Sequence, residues 1–259
     1  MEVRSNNYPI KNFNIMRATG AVLEDTSFQA VTYSTEAGKN QSFAHVATYP
    51  PIELTTAEEG YTLKRAVDII GAGFGLFILG LIFPFIYLGI KLSSKGPVLF
   101  VQPRTGMNGR PFPCFKFRTM YIIEAESEDG KPIITKQGDN RIFPLGKILR
   151  KMNIDELPQL INVLRGDMSL VGPRPLPIKE CRYWQRILPG FTMRYHNTRP
   201  GLTGWAQVTG YRGGNLDPIH MYYRLKRDLR YIENASLKLD LEIMWRTLKQ
   251  IITRNTGAH

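Results

Sequence analysis

One feature of the hydrophobic pattern outweighs the rest: from Ile69 to Ile90 no residue is charged. As a straight helix this run is about 33 Å long, close to the hydrocarbon thickness of a bilayer. A buried hairpin or helix of a soluble core is the alternative, but uncharged apolar runs of this length are uncommon there. Lys64 and Arg65 precede the run, and Lys91 and Lys95 follow it. A full span favours one basic flank and one that is not, so two basic flanks place both ends on one side. Pro84, deep in the run, lacks an N–H and bends a helix. The pattern predicts a helix that enters the membrane, bends at Phe83-Pro84 and returns to the same face. A kinked single span competes with it.

Shorter patterns flank this run. Residues 1–60 are rich in Ser, Thr, Asn and Gly and read as a polar, partly ordered extension without chemistry of its own; alternation over Phe28–Tyr33 predicts one strand there. Residues 97–102 and 112–118 read as two strands around the turn-rich Pro103–Arg110. Residues 124–140 are polar and read as a surface loop. Helices are predicted over 144–152, 178–188 and 221–232. Leu237–Arg254 is amphipathic, with Leu237, Leu241, Met244, Leu248, Ile251 and Ile252 in one stripe. That stripe suits either core packing or the interface of an anionic membrane. The predicted fold is α/β, mostly helical, with three parts: an extension (1–60), a re-entrant membrane region (61–96) and a catalytic domain (97–259).

Charge sharpens this division. The chain has a net charge of +12, yet residues 1–60 carry four Lys/Arg against seven Asp/Glu, which leaves +15 on the remainder. A basic body suits nucleic acid, anionic lipid or phosphorylated substrates. Cys114 and Cys181 lack CxxC spacing, which argues against a zinc site or a disulfide scaffold and fits a reducing compartment. His45, His196 and His220 have no metal-ligand spacing. The N-terminus shows no basic segment followed by an apolar run, so no signal peptide is expected.

The chemistry concentrates between Asn153 and Pro175. Leu157, Leu160, Ile161 and Leu164 predict a helix over 155–164, with Pro158 in its first turn and Asp155 and Glu156 at its N-terminus. One acid is explained by the helix dipole alone. Two adjacent acids, followed by Gly166-Asp167 and by Arg174 between Pro173 and Pro175, suggest phosphate chemistry. A carboxylate can attack phosphorus, a second can hold Mg2+, and a stiffened arginine can fork onto a phosphate. Arg150, Arg165, Arg118 and Lys116 add positive charge. Gly201 and Gly204 around Thr203 allow close backbone approach, and Trp205 can stack on a base or sugar; a glycine-rich turn with a core tryptophan is the plainer reading.

These motifs, in this order, resemble the bacterial sugar transferase family, the monotopic polyprenyl-phosphate phosphoglycosyl transferases. The resemblance covers roughly residues 61–255. It rests on Lys64-Arg65-Ala66-Val67-Asp68, Lys116–Met120, Asp155–Gln159, Gly166–Ser169, Val171–Pro175 and Arg199–Val208. It implies a re-entrant helix with cytoplasmic ends, a catalytic Asp155-Glu156 dyad and Mg2+ held by that dyad. It also implies substrate contacts from Lys116, Arg118, Arg150, Asp167, Arg174, Arg199, Thr203, Trp205 and Gln207. One departure stands out: the family commonly places Ser before the bending proline, where this chain has Phe83.

The implied reaction moves a sugar 1-phosphate from a UDP-sugar to undecaprenyl phosphate at the cytoplasmic face of the bacterial inner membrane. An aspartyl phosphosugar forms on the way, and the product opens the synthesis of an exopolysaccharide, O-antigen or glycoprotein glycan. Anionic lipids, downstream glycosyltransferases and a second copy of the chain are the expected partners, and nucleic acid is not. Two alternatives remain: a membrane-bound phosphohydrolase using the same aspartate, and a basic binding module.

Overall fold

The computed structural model describes residues 3–5, 8–17, 28–35, 40–47, 58–122, 135, 138–188, 190–213 and 217–253, with side chains from Thr62 onward. Within the N-terminal extension lie four strands, β1 (Val3–Ser5), β2 (Tyr8–Arg17), β3 (Phe28–Thr35) and β4 (Asn40–Ala47). They form an antiparallel sheet in chain order, with Ile15 opposite Val31 and Val31 opposite Phe43. The predicted strand is β3, and alternation alone did not reveal its three neighbours. Most of the predicted surface loop at 124–140 lies outside the described residues.

The apolar run forms α1 (Glu58–Ser93), a helix that continues through Pro84. By length and composition it is able to cross a membrane, and only 17% of its most apolar window is buried. Phe74, Phe77, Leu81, Phe85, Leu88 and Leu92 are exposed on it, which is compatible with membrane association and unlike a soluble core helix. Its other face packs on the body. Ala72, Leu79, Ile86 and Ile90 are buried, and Leu170, Leu160 and Leu145 press on Gly71, Gly75 and Gly89, where a Cβ would clash.

The Lys64–Asp68 motif is an anchor. Lys64 Nζ reaches Asp240 Oδ2 (2.6 Å) and the Val171 carbonyl (3.1 Å). Arg65 donates to the carbonyls of Val163 (2.6 Å) and Leu164 (2.8 Å). Buried Asp68 accepts from Ser169 Oγ (3.0 Å) and Leu170 N (2.8 Å). At the other end of α1, Arg118 donates to the carbonyls of Pro97 (2.6 Å) and Ser94 (2.9 Å). Both ends of α1 are thus fixed to one body.

That body begins with a hairpin, β5 (Leu99–Thr105) and β6 (Pro111–Phe117), paired from Leu99–Phe117 to Thr105–Pro111. The strands run further than predicted, because Pro103 and Pro113 face each other within the ladder and the turn shrinks to 106–110. The next helix, α2 (Pro144–Lys151), is as expected. The helix predicted over 155–164 is not continuous. Asn153 takes a left-handed φ of 56°, Ile154–Glu156 form a single 3-10 turn, and α3 (Gln159–Arg165) starts after Pro158. Pro158 has no N–H to donate, so the chain tightens to i→i+3 bonds, Glu156 N to Asn153 O (3.2 Å) and Leu157 N to Ile154 O (3.1 Å). Asp155 and Glu156 therefore sit in a turn ahead of the helix rather than in its first turn.

Two short parallel strands, β7 (Ser169–Val171) and β8 (Gly201–Thr203), bring the Pro173–Pro175 turn beside the Arg199–Val208 segment. A Cβ on Gly201 would stand 2.0 Å from Gly172 N, so these backbones touch only because both residues are glycine. The close approach anticipated at Gly201 is made to this chain's own backbone. The remaining helices are α4 (Ile178–Ile187), α5 (Trp205–Val208), α6 (Pro218–Glu233) and α7 (Leu237–Ile252). They enclose a core around Trp184, Phe191, Tyr195, Met221, Leu229 and Ile243. The α7 stripe is divided: Asp240 and Ile243 are buried, with Met244 packed beside them, while Leu241, Trp245, Leu248 and Ile252 are exposed.

The Asp68 anchor yields a stability prediction. Asp68→Ala strands the Ser169 hydroxyl and the Leu170 N–H and is expected to cost about 2 kcal/mol. Asp68→Asn, which keeps an acceptor oxygen, should cost less. Thermal unfolding of both variants in one detergent checks the order; equal melting temperatures for Asp68→Ala and the parent would refute it.

Candidate active site

The 3-10 turn, the hairpin, α2 and the Pro173–Pro175 turn meet around a cavity of about 590 Å3. Its described lining carries Arg104, Lys116, Arg118, Arg141, Arg150, Arg174 and Arg212 against Asp155, Glu156 and Glu180. Seven cations against three acids leave the lining strongly cationic, the charge balance that favours an anion.

Glu156 is the hub of this charge. Lys116 Nζ lies 2.7 Å from its Oε1. Arg174 forks onto it, with Nη2 on Oε1 (2.5 Å) and Nη1 on Oε2 (3.1 Å). Arg212 Nη2 stands 3.6 Å from Oε2 and donates to Asn153 Oδ1 (2.6 Å). Burial opposes the Glu156 charge, but Arg174 and Lys116 outweigh it and hold the carboxyl well below the ordinary 4.5. Asp155 is equally buried, yet among the described residues no side chain bonds its carboxylate. Burial, and then the Glu156 charge, push its pKa up to about 6. Adjacent acids of similar burial are thus shifted in opposite directions: Glu156 is held ionised by its cations, and Asp155 is the more basic and has no side-chain partner among the described residues.

The Arg174 turn is pinned from behind. The Pro173 carbonyl accepts from Gly201 N (2.9 Å) and the Pro175 carbonyl from Arg104 Nη1 (2.5 Å). The Arg174 carbonyl accepts from the Tyr195 hydroxyl (2.7 Å) and Arg194 Nη2 (3.3 Å). Arg194 is itself buried and paired with Asp228. Sequence reasoning missed Arg104, Tyr195, Arg194 and Arg212. Arg104 left a signal, a charge in an otherwise uncharged strand; the other three become neighbours of the site only through the fold.

Six of the predicted residues therefore meet in one cavity: Lys116, Arg118, Arg150, Asp155, Glu156 and Arg174. Arg118 lines it while tying Ser94 and Pro97 to the hairpin. The other five lie outside the lining. Asp167 accepts from Asn162 Nδ2 (3.1 Å) at the end of α3. Arg199 Nε donates to the Gly166 carbonyl (2.7 Å). Thr203 Oγ1 meets Thr247 Oγ1 at 2.7 Å. Trp205 lies under the Arg246 guanidinium (5.1 Å), and buried Gln207 donates to the Leu202 carbonyl (3.2 Å). These contacts hold β8 and α5 against α3 and α7. Phe83 packs near Phe117, with ring centres 6.1 Å apart, and so ties the proline region of α1 to β6.

No group of three or more His, Cys, Asp or Glu able to hold a metal exists among the described residues. Mg2+ needs fewer, because it binds through one or two carboxylates and completes its shell with phosphates and water. Asp155 fits that demand. Glu156 fits it only when Arg174 and Lys116 turn to another anion.

The asymmetry of the two acids is directly measurable. In metal-free protein, the Asp155 carboxyl should lose its proton near pH 6, while Glu156 stays ionised well below 4.5. Carbon-detected NMR of the side-chain carboxyls, assigned with Asp155→Asn and Glu156→Gln, reads both. Parallel titration of the two groups would refute the arrangement.

Residues 59–254 match the family model described as bacterial sugar transferase. The chain is 44% identical over 195 residues to a UDP-glucose:undecaprenyl-phosphate glucose-1-phosphate transferase of Caulobacter vibrioides, covering 75% of this chain and 71% of that protein. It is 40% identical over 188 residues to the protein of the same name from Escherichia coli, covering 72% of this chain but 39% of the longer relative. The exopolysaccharide production protein PSS of Rhizobium leguminosarum is 40% identical over 198 residues, 75% of this chain and 98% of that protein. The matched region holds the whole cavity, the α1 anchor and α7, and the chain belongs to the bacterial sugar transferase family.

Proposed function

We propose that this protein is a phosphoglycosyl transferase, moving a sugar 1-phosphate from a UDP-sugar to undecaprenyl phosphate with release of UMP. One observation carries the reading: a buried, available carboxylate, Asp155, stands beside Glu156, which holds Lys116 and Arg174 in a cationic cavity. The relatives named above for this reaction support it.

The chemistry follows from the two acids. An Asp155 oxygen attacks the phosphorus next to the sugar. The bond from that phosphorus to the bridging oxygen breaks, and UMP leaves with the electron pair. A phosphate oxygen of the lipid then attacks the same phosphorus, and the Asp155 carboxylate is the leaving group. Lys116, Arg174 and Arg212, gathered at Glu156, would stabilise the charge that develops on the phosphoryl oxygens. Incoming phosphate replaces Glu156 as their anion, so the cations exchange partners without being left unpaired. Bound Mg2+, held by Asp155 or by the released Glu156, would neutralise phosphate oxygens.

The anchoring of both ends of α1 to one body supports a monotopic arrangement. The catalytic body then lies at the cytoplasmic face of the inner membrane, with α1 dipping in and the apolar face of α7 in the interface. The +15 charge after residue 60 suits anionic lipid there. The lipid-linked product would pass to a glycosyltransferase that extends it, as the first membrane step of an exopolysaccharide or related glycan. Residues 1–60 then form a separate extension, suited to pairing with a second copy.

Two experiments test this reading. UMP release across a panel of UDP-sugars, with undecaprenyl phosphate and Mg2+ in detergent, should depend on the lipid acceptor for sustained turnover, and Asp155→Asn should abolish both UMP release and the phosphosugar adduct. Near-normal release from that variant, or turnover independent of acceptor, would refute transfer through Asp155. For topology, single cysteines at Thr62 and Ser94, in a background lacking Cys114 and Cys181, should both resist an impermeant thiol reagent added outside intact cells. Labelling at one position alone would establish a full span.

A further inference from the structure

The cavity that holds Asp155 has a second end of different character. Around Glu156 its wall carries Lys116 and Arg174; toward Phe100, Met120, Tyr121 and Ile122 it carries apolar side chains beside Arg118 and Arg141, whose guanidiniums are engaged by the Pro97 and Ser94 carbonyls and by Asp139. The change occurs within one rung of the hairpin. Phe100 pairs with Lys116 across β5 and β6, and directly opposed residues project to the same face. Phe100 therefore shares a face of the hairpin with the lysine that binds Glu156. At this end the side chains open outward: Ile122 is 68% exposed, Phe100 46% and Tyr121 41%. A closed slot for a planar base would bury them.

This apolar rim has a fixed place relative to α1. A Cβ on Gly96 would stand 2.7 Å from Ile122 Cδ1, so Ile122 rests on the backbone just past the end of α1. Arg118 ties the same segment to the foot of β6 through Ser94 and Pro97. Tyr121 is held by its N–H to the Arg141 carbonyl (2.8 Å) and by an edge contact with Phe143 (5.8 Å). The rim thus opens where the apolar helix joins the body.

We infer that Phe100, Tyr121 and Ile122 seat the first isoprene units of a polyprenyl phosphate, whose phosphate reaches Lys116 and Arg174 beside Asp155. The inference rests on the transfer reaction proposed above and adds the location of the acceptor. The occupant is chosen by polarity and place. Lys116 and Arg174 gather at Glu156 and the exposed apolar side chains lie toward the end of α1, as the acceptor runs from phosphate to hydrocarbon. A UDP-sugar has no hydrocarbon end to satisfy that rim.

The test separates the two substrates. Ile122→Ser and Phe100→Ser are assayed by UMP release in the full-length protein, titrating undecaprenyl phosphate at saturating donor and then donor at saturating acceptor. Losing one apolar side chain from the lipid seat should raise the acceptor KM by about tenfold. The donor KM, and formation of the phosphosugar adduct before acceptor is added, should stay as in the parent. A rise in donor KM alone would mean that the rim seats the nucleotide, and no change in either KM would mean that it seats nothing; both overturn the inference. As an independent readout, a benzophenone-bearing polyprenyl phosphate should crosslink the parent protein at Phe100 or within 120–122, and crosslinks confined elsewhere would overturn it. Absence of UMP release from the parent with every UDP-sugar tried would refute the transfer reaction itself, an outcome distinct from a failed acceptor seat.

Discussion

The ion cluster on Glu156 is the constraint that the other parts of the site obey. A carboxylate buried to this degree cannot stay ionised in isolation, because its desolvation costs several kcal/mol. Arg174 and Lys116 make the charge tolerable, and each is placed by a different part of the chain: Lys116 by the hairpin, Arg174 by the turn after β7. Breaking such a pair with nothing in exchange costs about 3–5 kcal/mol. The cations can therefore leave Glu156 only in exchange for another anion. Glu156 keeps these cationic side chains assembled in the free protein.

The same logic explains why an apolar helix and a basic body are built as one unit. Lys64, Arg65 and Asp68 bond three separate elements of the body: α7, the end of α3, and β7. Ser169 and Leu170, which bond Asp68, lead through Val171 into the Arg174 turn. At the far end, Arg118 joins Ser94 to the strand that carries Lys116. The position of α1 is thus linked to both arms of the Glu156 cluster, and the cavity is held at a fixed place relative to the apolar helix.

What could be read from the sequence was what has a local cause. The uncharged run, the amphipathic α7, the existence of the hairpin and the adjacent acids all declare themselves within a few residues. The 3-10 turn did not, because the period of Leu157, Leu160, Ile161 and Leu164 masks the missing N–H of Pro158, and the left-handed turn at Asn153 leaves no pattern. Thr203, Trp205 and Gln207 looked like ligand contacts because a Gly-rich segment with a tryptophan serves ligands and backbone packing alike. Here Gly201 lies on Gly172, and its neighbours bond α7 and the backbone before α5. Tyr195, Arg194 and Arg212 act on the cavity from distant positions in the chain, which no one-dimensional pattern reports.

The adjacent acids show most plainly why the fold was needed. In the chain, Asp155 and Glu156 are equivalent in type and differ by one methylene. In the folded turn, Glu156 meets the guanidinium of Arg174 and the ammonium of Lys116, while Asp155 receives burial and the repulsion of its neighbour. A nucleophile must hold its electron pair free of strong donors, and an organiser of cations must surrender its own. Each carboxylate suits one of these tasks and is unfit for the other. The division comes from the single 3-10 turn at Ile154–Glu156, whose successive side chains diverge by about 120°. A helix with the predicted boundaries would separate them by about 100° and stack Asp155 on Gln159 instead. Pro158, by ending that possibility, sets which acid meets the cations and which is left without a side-chain partner among the described residues.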